Sequence, residues 1–315
     1  MPKSILFTVC LAMIVTASYP ANAQRSRRAA SAGTVPGGTA EIYKTIGDVK
    51  LKLYRFTPDG HTADDQRPAV VFFFGGGWRT GSPKQFEHQC KYLASRGMVA
   101  MTADYRVSSR HGTKAVACVA DAKSAVRWIR SNAKRLGIDP DRIVAGGGSA
   151  GGHIAACTGT IRGFDEASED GSISSVPNAM MLFNPACVLA PIGDKTPFDA
   201  ERMATLKERV GDEPIAVSPY HHVREGCPPT ILFHGKNDTA VAYRTAQAFT
   251  NAMTKAGNRC ELVGFDDMPH GFFNFGKFRN APFTQTMLHA DRFLTSLGYL
   301  KGEPTTQDYV KATAH

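Results

Sequence analysis

The chain has 315 residues, 43% of them hydrophobic, with 37 Lys and Arg against 28 Asp and Glu for a formal net charge of +9. That length suits one large domain able to bury a sizeable core. The basic excess shows no aromatic–basic interleaving and no dense Lys/Arg run outside the tail, which speaks against nucleic-acid binding; it reads as a solvated surface able to attract acidic polysaccharides or an anionic envelope.

In chain order, Lys3 precedes an apolar run from Ile5 to Ala17, and Ala21-Asn22-Ala23 comes next as a small-residue cleavage signal. This is the pattern of a secretory signal peptide, residues 1–23, cut after Ala23, and it predicts a secreted or periplasmic protein. Cys10 lies in the apolar run without lipobox-like surroundings. Residues 24–38, with Arg25, Arg27 and Arg28, read as a disordered basic lead-in. No later segment approaches ~18 consecutive apolar residues, so no membrane span is expected.

From residue 39 to 300 strand and helix patterns alternate. Glu41 to Phe56 reads as an antiparallel pair of edge strands, and Ala69 to Phe74 as a strand buried on both faces, leading into Gly75-Gly76-Gly77-Trp78. A helix is predicted near Gln85 to Arg96, a strand over Met98 to Ala103, and a long helix from Thr113 to Leu136 with Val119, Val126 and Ile129 at helical spacing. The strand Arg142 to Ala145 runs into Gly146-Gly147-Gly148-Ser149-Ala150-Gly151-Gly152, and then into a small-residue helix. A strand is expected over Asn178 to Phe183. Between Cys187 and Tyr220 the alternation breaks around one helical stripe, Met203, Leu206 and Val210; residues 190–220 read as a short lid or a plain surface excursion. Strands over Thr230 to Gly235 and Cys260 to Phe265, helices over Tyr243 to Ala256 and Phe283 to Leu297, and a C-terminal tail over 301–315 complete the pattern. The alternation calls for an α/β fold with a mostly parallel sheet covered on both faces.

Gly147-Gly148-Ser149-Ala150-Gly151 fits G-x-S-x-G, in which a sharp strand-to-helix turn lifts a serine hydroxyl clear of the backbone. Glycine is needed on either side because a Cβ there would strike the neighbouring strand and helix. A phosphate cradle or a plain loop would also fit these residues alone. The downstream residues sharpen the reading: Asp238 and then His270 each stand on a loop just past a strand, the order this turn requires. Asp266 and Asp267 also stand near His270 as competing acids, whereas Asp104 reads as a structural ion-pair partner near Tyr105-Arg106. The glycine run after Phe74 would let backbone amides, with that of Ala150, approach a substrate oxygen. The chemistry of this set is acyl transfer: Ser149 attacks, His270 takes its proton, and Asp238 orients the imidazole.

With the GGGW loop, Ala103-Asp104-Tyr105-Arg106, Leu136-Gly137-Ile138-Asp139-Pro140, the GGSAGG turn, Ser218-Pro219, His234-Gly235 and His270-Gly271-Phe272, the chain from Glu41 to Leu297 resembles the α/β-hydrolase superfamily. The resemblance is to esterases of the hormone-sensitive-lipase-like and xylan/feruloyl-esterase-like branch. It implies an α/β-hydrolase fold, an oxyanion hole from the amides of Gly76, Gly77 and Ala150, Trp78 beside the acyl pocket, and no metal or organic cofactor. Phe74 stands where that family usually has a histidine bracing the oxyanion loop, which bears on loop geometry rather than on the chemistry. The implied substrates are short-acyl or aromatic esters, including acetyl or feruloyl decorations of polysaccharides. A serine peptidase of the prolyl-oligopeptidase type shares the pattern but lacks its propeller here, and a non-catalytic binding module with the same shell is the other alternative.

Cysteines and histidines give weaker signals. Of seven cysteines, Cys10 falls in the signal peptide; an oxidising compartment would allow disulfides among the rest, with Cys227 and Cys260 the plausible pair and buried thiols the alternative. His153 is expected to pack at the helix after Ser149, His221-His222 to be structural, and His234 to satisfy buried backbone groups.

Overall fold

Continuous apolar strands without polar alternation can only be accommodated inside a covered sheet. The computed structural model describes residue 1 and residues 33–313, so the signal-peptide reading of 1–23 and the lead-in up to residue 32 lie outside the described residues. From residue 33 on, the strands are β1 (Thr39–Ile46), β2 (Val49–Phe56), β3 (Arg67–Phe73), β4 (Val99–Ala103), β5 (Ile138–Gly148), β6 (Ala179–Phe183), β7 (Thr230–Gly235) and β8 (Cys260–Phe265). They form one eight-stranded sheet in the order β1-β2-β4-β3-β5-β6-β7-β8. The β1–β2 and β2–β4 pairs are antiparallel and all others parallel. Of the two strands expected at the edge only β1 is an edge; β2 pairs on both sides, with Leu53 opposite Ala103 in β4.

The helices are α1 (Glu87–Ser95), α2 (Ser108–His111), α3 (Ala115–Ser131), α4 (Ala150–Thr160), α5 (Ala200–Val210), α6 (Tyr243–Lys255), α7 (Ala281–Ser296) and α8 (Thr306–Thr313). Period-two alternation along β3 splits the core in two. Val71 and Phe73 join Val119 of α3, Ile154 of α4 and Phe249 of α6 on one face, while Val70 and Phe72 join Leu93 of α1 and Met287 of α7 on the other. Both faces are therefore covered, and loops gather at the strands' C-terminal edge, where parallel sheets place their sites.

The span from Cys187 to Tyr220 holds α5, capped at its start by Asp199, whose side chain accepts from the Arg202 amide at 2.8 Å, and closed by Gly211 at φ 84°. Leu206 and Val210 bury the helix's inner stripe. At the ends of the domain, Val35 is buried and Tyr54 Oη donates to the Gly33 carbonyl at 2.7 Å. In the span expected as a tail, α8 packs Tyr309 against Tyr92, ring centroids 5.6 Å apart.

The Cys227–Cys260 bridge offered as the plausible pair does not form, and the alternative of free thiols holds for all six described cysteines, five of them buried. The register explains why. Cys260 lies opposite Thr230, three positions beyond Cys227. At ~3.3 Å per residue that offset is roughly 10 Å, more than a disulfide spans.

Candidate active site

The strand-to-helix turn is built from what its glycines leave out. A Cβ on Gly147 would lie 2.6 Å from the Phe73 carbonyl oxygen, and one on Gly151 only 2.0 Å from the same atom. The turn thus nests against the end of β3, and Ser149 is held at φ 54°, ψ −118°, outside the conformations a residue with a Cβ prefers. Its Oγ stands 2.9 Å from His270 Nε2, across 121 residues of sequence. His270 Nδ1 lies 2.6 Å from Asp238 Oδ2. The other oxygen, Asp238 Oδ1, accepts from the amides of Ala240 and Val241 at 2.9 and 2.8 Å. Burial alone would push the Asp238 carboxyl up, but hydrogen bonds from His234, His270 and the Val241 amide outweigh it and hold the group well below the usual carboxylate range.

An ionised Asp238 can only accept, so His270 Nδ1 donates to it and Nε2 is left to accept the Ser149 hydroxyl proton. The competing acids lie elsewhere: Asp266 pairs with Lys236 at 2.6 Å, and Asp267 approaches Asn237 at 3.5 Å. Asp104 is an ion-pair partner, of Arg110 (2.5 Å), while Arg106 pairs with Asp121.

The glycine loop after β3 curls beside Ser149. Gly76 at φ 124° and Gly77 at φ 62° are positions at which side chains are strained, and a Cβ on Gly76 would sit 2.2 Å from the Thr80 carbonyl oxygen. Among the described residues, no hydrogen-bond acceptor engages the amides of Gly76, Gly77 or Ala150. Phe74 holds the loop by stacking on Tyr105 at 4.1 Å, and Tyr105 Oη donates to the Phe74 carbonyl at 2.6 Å. The Gly75 amide donates to Gln85 Oε1 at 2.6 Å, and Gln85 Nε2 donates to Asn274 Oδ1 at 2.9 Å. Asn274 in turn donates to the Gly271 carbonyl at 2.8 Å, and the Gly271 amide donates to Asn184 Oδ1 at 3.1 Å, so one chain of amides ties the glycine loop to the loop of His270.

Trp78 is anchored separately. Its Nε1 donates to His153 Nδ1 at 3.1 Å, and His153 Nε2 reaches the Val217 carbonyl at 2.7 Å. Because the indole only donates, Nδ1 must accept and Nε2 carries the proton. Burial pushes the His153 pKa down to about 4, with the Val217 bond pulling the other way, so the ring is neutral. His153 does more than pack at its helix: it joins the glycine loop to the segment after α5. His221 bonds Ser218 Oγ at 2.8 Å, and His234 Nε2 donates to the Val241 carbonyl at 2.8 Å and lies 3.3 Å from Asp238.

Two clefts meet at Ser149. One, about 100 Å³, is lined by Trp78, Ala186, Leu206 and Val241 together with Arg202 and Arg209. The other, about 590 Å³ and more open, is lined by Gln85, Asn184, His270, Phe273 and Asn274. Sequence reasoning missed Gln85, Asn184, Asn274 and both arginines: amides 189 residues apart leave no local signal, and α5 read only as an apolar stripe.

The chain is similar to known proteins along most of its length. The BD-FAE family model matches residues 56–253, more than half of the chain. The chain belongs to the BD-FAE family. This puts it in the hormone-sensitive-lipase-like branch of the α/β hydrolases, and it is a hydrolase acting on carboxylic ester bonds. A solved structure of Thermogutta terrifontis esterase 2, phosphonylated by sarin, is 51% identical, covers 86% of this chain and 99% of its own, and superposes with a TM-score of 0.84. The butyrate-bound structure of that esterase is 53% identical over 85% of this chain and 97% of its own, with a TM-score of 0.81. The probable carboxylic ester hydrolase LipM of Mycobacterium tuberculosis is 26% identical over 90% of this chain and 72% of its own length.

Proposed function

We propose that this BD-FAE member is a secreted or periplasmic serine carboxylesterase for short-acyl esters, acting through Ser149, His270 and Asp238. The hydrogen-bonded run from Ser149 Oγ through His270 to Asp238 carries the reading. His270 Nε2 accepts the proton as Ser149 attacks the ester carbonyl. Asp238 fixes the tautomer and stabilises the imidazolium. The unengaged amides of Gly76, Gly77 and Ala150 would receive the oxyanion, and water then releases the acyl group. No step calls on a cofactor.

The cleft beside Trp78 is the smaller of the two, about 100 Å³ against about 590 Å³. That supports a short acyl group, and a butyrate-bound relative points the same way. The wider cleft, lined by neutral amides, suits a hydroxyl-rich alcohol, which supports acetyl-type decorations of polysaccharides as substrates. Secretion rests on residues 1–23. The test is Ser149→Ala with a graded series of p-nitrophenyl esters, beside acetate and ferulate release from xylan and pectin. Expected is a wild-type rate that peaks at short acyl chains and a kcat lowered by a factor of order 10⁶ in the variant. Full turnover by the variant would defeat the mechanism, and a peak at long chains would defeat the short-acyl reading.

A further inference from the structure

In a serine esterase the leaving alcohol must sit beside the histidine that protonates it. His270 lines the wider cleft and not the narrow one, so the alcohol occupies the former and the acyl chain the latter. This assignment rests on the reaction proposed above. The narrow cleft is then an unusual acyl pocket, because two of its lining residues are cationic.

Arg209 lies over the Trp78 ring with its guanidinium carbon 5.6 Å from the centroid, and Nη2 donates to the Gly77 carbonyl at 3.3 Å. Its Nε is buried with no hydrogen-bond partner, and no carboxylate among the described residues pairs with it. Arg202, about two helical turns away on α5, donates to the Ala240 carbonyl at 2.9 Å; its only carboxylate neighbour among the described residues is Asp199, at 4.0 Å and largely exposed. Burial, and then Arg79 and Arg202, disfavour the charge on Arg209. A cation kept in such surroundings without a counter-charge is costly, and an anionic ligand would offset the cost. A purely hydrocarbon acyl chain would leave Arg209 without a counter-charge and would gain nothing from Arg202, whose side chain is 42% exposed.

We infer that Arg202 and Arg209 select acyl groups that end in a carboxylate, so that the preferred substrates are half-esters of short dicarboxylic acids. Arg forks bind carboxylates through two parallel N–H···O contacts, and both groups here have N–H donors to spare. The reaction is unchanged: Ser149 attacks the ester carbonyl, the alcohol leaves with the proton from His270, and water releases the dicarboxylate.

The test compares monoethyl succinate with ethyl levulinate, a neutral near-isostere, by kcat/KM on the purified enzyme at neutral pH. The charged ester should be preferred at least about tenfold, which is ~1.4 kcal/mol. Arg209→Met and Arg202→Met should each lower that ratio several-fold, whatever they do to the absolute rates. Arg209→Lys should restore part of it, and raised salt should compress it in the wild type. A wild-type ratio at or below one, or a ratio unmoved in both Met variants, overturns the inference and leaves the ester hydrolase intact. Failure to hydrolyse either ester overturns the inference and the proposed reaction together.

Discussion

Ser149 occupies a backbone conformation that costs a residue with a Cβ about 1–3 kcal/mol, and the nested turn maintains it. Ser149→Gly would relieve that strain, so it should raise the unfolding free energy by about 1 kcal/mol in urea titrations while abolishing ester turnover. A variant both less stable and inactive would show that the turn is unstrained. Asp238 is the second residue whose environment has a consequence. Its carboxyl is held low, so the stabilisation it contributes is complete above the unfolded value near ~3.9 and is lost as the pH falls through its folded value. Asp238→Asn removes that acid-side dependence and presents an amide to His270 Nδ1, which permits the wrong tautomer. Its kcat should fall by about 10⁴, with a smaller change in KM.

At the scale of elements, the site is a set of loops made rigid by side chains from other elements. His153 links α4, the glycine loop and the segment after α5, and it does so as a neutral ring with a pKa of about 4. The unfolded chain binds its proton near ~6.5, so stability should decline progressively as the pH drops from about 6.5 towards 4. His153→Gln should flatten that slope in denaturation curves measured across the interval, and an unchanged slope would mean that the histidine is charged when folded. Gly151→Ala would drive a methyl into the Phe73 carbonyl and should cost about 3 kcal/mol or more, read as a lower urea midpoint.

These elements also show where the sequence was informative. Strands β3 and β7 were legible as apolar runs, and the order of Ser149, Asp238 and His270 after strands picked out three side chains that the fold brings within hydrogen-bonding distance. The Gln85–Asn274 and Trp78–His153 bonds were not, because partners separated by long stretches of chain are chosen by the folded surface rather than by local pattern. The Cys227–Cys260 expectation failed for the same reason: adjacency of strands was readable, but register was not.

On the scale of the whole molecule, a sheet covered on both faces leaves its C-terminal edge for chemistry, and two clefts open there beside Ser149, which the proposed reaction divides between acyl and alcohol. Stability comes from the two-sided core and not from cross-links, since the six described thiols are unpaired and five of them buried. Dithiothreitol should therefore leave the thermal midpoint unchanged; a fall of several degrees would reveal a disulfide. The most direct measurement is covalent capture: a fluorophosphonate probe on the native enzyme, with the labelled peptide located by mass spectrometry. Stoichiometric labelling at Ser149 that disappears in His270→Ala is the expected result. Labelling at another serine, or equal labelling at Ser149 without the histidine, would contradict a hydroxyl activated by its imidazole neighbour.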